Sequence, residues 1–76
     1  MSEIIVYSQP GCGPCSKVKS WFDSKGVSYV EKNVVEDGEA LQHIRSLGYA
    51  GVPVIETPEK HWSGIDLNNM KELVNA

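Results

Sequence analysis

Basic residues, cysteines and long apolar runs are all scarce in this chain of 76 residues. Lys and Arg number 7 against 10 Asp and Glu, a net charge of −3, which argues against nucleic acid as the main partner because that calls for a basic surface. No apolar run approaches the roughly 20 residues that cross a bilayer, so no membrane segment is expected. Met1-Ser2-Glu3 lacks the basic and apolar regions of a secretory leader. Two cysteines are too few for the disulfide framework of a small secreted protein, and the cytoplasm is the expected compartment. Repeats, low-complexity tracts and linkers are missing too. The length leaves room for one core, hence a single domain over residues 1–76. At 41% hydrophobic and 22% charged, the chain has enough apolar material to fold rather than stay disordered.

What cysteine there is lies in one place, Gln9-Pro10-Gly11-Cys12-Gly13-Pro14-Cys15-Ser16. The apolar run Ile4-Ile5-Val6-Tyr7 before it reads as a buried strand, and the residues after it have helical spacing. A Cys-x-x-Cys pair where a strand passes into a helix is a dithiol redox motif when the surrounding fold is βαβ. Cysteines three apart on a first helical turn lie on neighbouring faces and can close a disulfide. At the helix start, unpaired backbone N–H groups and the macrodipole favour a thiolate. Gly13-Pro14 suits that turn, since proline there has no N–H to leave unused. A structural zinc site needs four ligands, and His43 and His61 are not in finger spacing, so no metal is expected. A purely structural disulfide would close only a tiny loop and constrain the unfolded chain little. The reading is therefore redox chemistry, with Cys12 attacking and Cys15 resolving, and no cofactor beyond that pair.

Strand and helix patterns alternate along the rest. Residues 3–8 form a central strand, and Cys12 to Lys25 a helix with Cys15, Val18, Trp21 and Phe22 as its apolar stripe, ended by Gly26. Val27–Asn33 reads as a second strand, parallel to the first through the helical crossover. Asp37 caps a second helix carrying Ala40, Leu41, Ile44 and Leu47, and Gly48 ends it. Val52–Glu56 is a third strand, Thr57-Pro58-Glu59-Lys60 a turn, and His61-Trp62 a short fourth strand. A last helix turns Leu67, Met70, Leu73 and Val74 to one face. The fold class is α/β, in the order βαβαββα, with helices on both faces of a four-stranded mixed sheet.

This order, with Cys-x-x-Cys heading the first helix, resembles the minimal thioredoxin fold of the glutaredoxins over essentially the whole chain. Gly51-Val52-Pro53-Val54 stands where that fold has a cis-proline opening the strand that faces the dithiol. The resemblance implies a cis Pro53, with the Val52 backbone pairing with substrate by strand addition. Cys-Gly-Pro-Cys is the usual thioredoxin dithiol, yet Gly11 and Val6 stand where thioredoxins have a tryptophan and a buried aspartate. Against glutaredoxins, Ser8-Gln9-Pro10-Gly11 offers no cation for glutathione, Pro14 replaces the aromatic residue between the cysteines, and Ser63-Gly64-Ile65-Asp66-Leu67 keeps one glycine and one acid of the glutathione segment. Asp66 is read as an N-cap of the last helix rather than a ligand for an amino group.

Trp62-Ser63-Gly64 ahead of the last helix is similar to the hallmark of NrdH-type redoxins, glutaredoxin-like proteins with thioredoxin-like activity. The chain departs from them after this motif, where Phe-Arg-Pro is common, and within the dithiol. The resemblance implies a monomer that takes electrons from thioredoxin reductase and reduces protein disulfides, those of class Ib ribonucleotide reductase among them, with Val52, Pro53, Trp62, Ser63 and Gly64 beside the substrate. A glutathione-dependent glutaredoxin is the nearest alternative, and a non-catalytic interaction module of a larger enzyme is an alternative of another class. An iron–sulfur carrier is disfavoured by Cys15.

Other residues are read more plainly. Trp62 is either core or an exposed platform beside the dithiol. Phe22 is core, and Tyr7 is packed or shields the sulfurs. Lys17 and Lys19 either raise the positive potential near the thiolate or are solvated. Glu36-Asp37-Gly38-Glu39 is a solvated helix start. His43 and His61 receive no role.

Overall fold

Alternation along Ile4–Ser8 sets the architecture. Ile4 and Val6 turn to one side of a strand and Ile5 and Tyr7 to the other, so this strand needs cover on both faces. A computed structural model describes residues 3–75 and supplies that cover; the reading of Met1 and Ser2 lies outside the described residues. The elements run β1 (Ile5–Ser8), α1 (Gly13–Ser24), β2 (Val30–Asn33), α2 (Gly38–Ser46), β3 (Val54–Glu56), β4 (His61–Ser63) and α3 (Leu67–Asn75). The four-stranded sheet has the order β2-β1-β3-β4. β1 pairs parallel with β2 and antiparallel with β3, and β3 pairs antiparallel with β4. The expected βαβαββα order and mixed sheet are what the chain adopts.

On one face, Val18 and Phe22 of α1 and Met70 of α3 pack over Ile4, Val6, Ile55 and Trp62. On the other, Ala40 and Ile44 of α2 pack over Tyr7, Val34 and Val54. Each fully buried aliphatic or aromatic side chain contributes about 1.5–3 kcal/mol, and these two layers are the main source of stability. Leu67 departs from the expected apolar face of α3: it is 47% exposed. It occupies the first helical position, before the α3 stripe of Met70 and Leu73 has met the core.

Three strands start later than the sequence suggests, β2 and β3 for local reasons. α1 ends at a left-handed Gly26, with Val27 N–H donating to the Phe22 carbonyl at 3.0 Å and Gly26 N–H to Asp23 at 3.1 Å. Val27 is thus spent on the helix cap, and the β2 ladder begins only at Val30. Gly48 ends α2 in the same way, with Tyr49 N–H donating to Ile44 at 3.0 Å. β3 begins at Val54 rather than Val52 because Pro53 has no N–H for a ladder. β1 begins at Ile5 rather than residue 3, although Ile4 is still core.

Candidate functional site

Cys12 is the N-cap of α1, with extended backbone (φ −91°, ψ 107°). Its Sγ accepts the Cys15 backbone N–H at 3.2 Å, the place a serine or aspartate oxygen takes at an ordinary cap. Its carbonyl accepts the Ser16 N–H at 3.2 Å, opening the helical ladder. Negative charge developing on this sulfur faces the positive end of α1 and an N–H already aimed at it. Gly13 and Pro14 fill the first turn, as the sequence predicts. Cys12 and Cys15 are joined as a disulfide, their Cα atoms 5.3 Å apart. The two sulfurs are not equivalent in access: Cys12 is partly exposed, whereas Cys15 is 1% exposed on the inner face of α1 with Val18 and Phe22.

The sheet register brings the second sequence motif to the same end. β1 and β3 run antiparallel with Tyr7 opposite Val54, so Pro53 falls beside the end of β1, where Ser8 passes into the cysteine loop. The Val52-Pro53 peptide is cis, in accord with the expectation. β4 extends the grouping: Ser63 lies opposite Val54, and Gly64 N–H donates to the Pro53 carbonyl at 2.9 Å. The dithiol, Val52-Pro53 and Ser63-Gly64 thus share one end of the sheet. Pro53 is buried, Val52 and Gly64 are partly exposed, and Ser63 is exposed.

Trp62 behaves differently. It is 7% exposed and packs in the α1–α3 layer, so the packed reading holds and the exposed platform does not. Alternation explains this: with Ser63 and His61 exposed, Trp62 between them turns inward. Its Nε1–H has no hydrogen-bond partner among the described residues. Asp66 caps α3, Oδ1 accepting Asn69 N–H at 3.2 Å and Oδ2 accepting the Asn69 amide at 2.9 Å. Lys17 is exposed, while Lys19 is engaged by Glu31 at 2.7 Å, so its charge is compensated.

Sequence reasoning missed two polar networks. Tyr7, nearly fully buried, donates its hydroxyl to Glu56 Oε1 at 2.8 Å, and Glu56 also holds His43 Nε2 at 2.9 Å. Burial first, and then the bond to Glu56, pushes the Tyr7 hydroxyl well above the usual phenol range, so it stays a donor. These three side chains border a cavity of about 540 Å³ on the α2 face, away from the dithiol, with Lys32, Asp37 and Glu39 also on its wall. Tyr49 meets His61 Nδ1 at 2.7 Å nearby. The second network is Ser8–Glu31–Lys19, one carboxylate oxygen taking both partners at 2.7 Å. Neither has a short motif; their members lie far apart in sequence and meet only through the sheet. Among the described residues, no three of His, Cys, Asp and Glu converge as metal ligands.

Comparison with known proteins agrees with this geometry. The glutaredoxin family model matches residues 4–62. A glutaredoxin-like 8.6 kDa protein encoded in the rubredoxin operon of Clostridium pasteurianum is 42% identical over 53 residues, 68% of this chain and 71% of that protein. The glutaredoxin-like protein NrdH of Lactococcus lactis is 27% identical over 70 residues, 92% of this chain and 97% of that one. Among solved structures, the NrdH-redoxin of Escherichia coli, a glutaredoxin-like protein with a thioredoxin-like activity profile, superposes with a TM-score of 0.89 at 25% identity, covering 93% of each chain.

Proposed function

The chain belongs to the glutaredoxin family as a thiol–disulfide oxidoreductase, and we propose that it works in the NrdH manner, as a dithiol donor to protein disulfides. The reduced Cys12 thiolate attacks the substrate disulfide and forms a mixed disulfide, releasing one substrate thiol. Cys15 then attacks the Cys12 sulfur, releases the second thiol and closes the Cys12–Cys15 bond. The asymmetry of access carries this assignment, since only Cys12 is open to an approaching disulfide while Cys15, at 1% exposure, waits behind it.

Val52 and Pro53, with Ser63 and Gly64, form the rim on which an extended substrate segment lies, the Val52 backbone pairing with it as an added strand. Trp62 supports that rim from inside the core. Thioredoxin reductase resets the pair, and class Ib ribonucleotide reductase is the acceptor, in a cytoplasmic protein acting as a monomer of one domain over residues 1–76, with no cofactor other than its own disulfide. Two observations favour this over a glutathione-dependent cycle. Both oxygens of Asp66 are engaged within the α3 cap, and residues 8–11 hold no cation for a carboxylate.

Insulin disulfide reduction tests the reading, driven in parallel by thioredoxin reductase with NADPH and by glutathione with its reductase. Turnover with the first system alone is expected. Turnover with glutathione alone would make the protein a glutathione-dependent glutaredoxin. A partner enzyme fully active with both cysteines changed to serine would make it an interaction module.

A further inference from the structure

The rim beside the dithiol has two sides, the segment 49–53 that leads into β3 and the segment 61–64 that contains β4. At the dithiol end they are joined by Gly64 N–H, which donates to the Pro53 carbonyl at 2.9 Å. A second link stands three residues before Val52 and two before Ser63, where the Tyr49 hydroxyl and His61 Nδ1 are 2.7 Å apart. The two rings meet edge to face, their centroids 5.5 Å apart and their planes at 83°. The hydroxyl can donate to a bare Nδ1 or accept from a protonated one, so the link forms with either charge state of the imidazole.

Between these links the first side has little else to direct it. Ala50 and Gly51 are exposed, and a Cβ on Gly51 would meet nothing within 4 Å. Among the described residues, no hydrogen bond engages residues 50–52. Val52 packs against the α2 layer, but an apolar contact does not aim its N–H and C=O. Tyr49, by contrast, is held three ways. Its N–H donates to the Ile44 carbonyl at 3.0 Å, its side chain is half-buried against the α2 layer, and its hydroxyl reaches β4. His61 is placed by the β3–β4 register, opposite Glu56. The Tyr49–His61 bond is open to water and so adds little to global stability. What it does is fix where the segment 49–53 leaves α2 relative to β4.

We propose that Tyr49 and His61 are positioning residues for protein substrates, their bond closing a frame that holds the Val52 backbone in register for an extended substrate strand. The inference rests on the reading of Val52 as the residue that pairs with substrate. A pairing edge that is already in place spares the ordering cost of binding. A polypeptide disulfide gains from this, whereas a small disulfide with no backbone to pair does not. The frame therefore sets a preference between substrate classes and leaves the exchange between the cysteines alone.

Steady-state reduction of insulin, beside reduction of an aromatic disulfide that releases a coloured thiolate, reads this out. In Tyr49→Phe, and separately in His61→Ala, KM for insulin should rise about fivefold, within what one net hydrogen bond accounts for, with kcat within about twofold. The rate with the aromatic disulfide should stay within about twofold of the parental one. His61→Asn keeps an acceptor near the place of Nδ1 and should restore the parental KM. Equal loss on both substrates, an unchanged KM in Tyr49→Phe, or no rescue by asparagine would overturn the frame. A cystine peptide N-methylated on the residues flanking its cysteines checks the strand pairing separately. The parental protein should reduce it more weakly than the unmethylated peptide, and Tyr49→Phe should narrow that difference. Equal reduction of the two peptides by the parental protein would refute the pairing itself; a parental preference that survives undiminished in Tyr49→Phe would refute the frame alone.

Discussion

Asp66→Ala separates a helix cap from a ligand at the position where the family's glutathione segment and the start of α3 coincide. The substitution removes two acceptors, Oδ1 from Asn69 N–H at 3.2 Å and Oδ2 from the Asn69 amide at 2.9 Å. It leaves the backbone bond from Met70 N–H to the Asp66 carbonyl, at 2.9 Å, in place. Asn69 is only partly buried, so water replaces part of what is lost. The cost should therefore lie near the middle of the N-cap range, about 1 kcal/mol. For a domain of this size that lowers the melting temperature by about 4–8 °C. Asn is as good an N-cap as Asp, so Asp66→Asn should recover most of the loss although it carries no charge. Thermal unfolding followed by circular dichroism gives the first readout, and insulin reduction driven by thioredoxin reductase, unchanged in both variants, gives the second. The cap reasoning is refuted if Asp66→Ala melts at the parental temperature, or if Asp66→Asn is as unstable as Asp66→Ala.

Further outcomes follow from the same geometry. Cys15→Ser should accumulate a stable substrate adduct on Cys12, found by peptide mapping under non-reducing conditions; an adduct on Cys12 that turns over normally would contradict resolution by Cys15. Phe22→Ala should cost about 3–5 kcal/mol, because its ring is fully buried between α1 and the sheet; a urea midpoint close to the parental one would mean the core is not organised as described. Glu56 governs part of the acid sensitivity. Burial pushes its carboxyl up, but the bonds from His43 and Tyr7 and the two imidazoles, His43 and His61, outweigh this and hold it below its ordinary value of 4.5. A lowered folded-state value gives stability that is complete above about pH 4.5 and lost as pH falls through the folded value. Glu56→Gln should therefore be less stable at neutral pH and flatter in its acid limb, read from urea unfolding between about pH 7 and 3. An acid limb as steep as the parental one would place the titration elsewhere.

The chemistry was written locally. Cys12 and Cys15 lie within one helical turn, and the caps Asp37, Gly26 and Gly48 act on neighbours a few residues away, so spacing alone revealed them. The apolar alternation of Ile4–Tyr7 likewise dictated a central strand, because a strand apolar on both faces has to be covered on both. Strand starts were less legible, since whether Val27 joins a ladder or a helix cap depends on bonds to Phe22 that propensity does not see. Trp62 was undecidable from its own segment: the same ring suits a core or a rim, and the β3–β4 register turned it inward. The networks of Tyr7 with Glu56 and His43, and of Ser8 with Glu31 and Lys19, join residues from separate elements. Their partners are brought together by register and crossover, which are settled by burying two apolar layers at once. So the sequence by itself determined the reactive pair and the order of the elements. Only the tertiary structure decided which cysteine is sealed and which carboxylates are engaged, because those are properties of packing between segments distant along the chain.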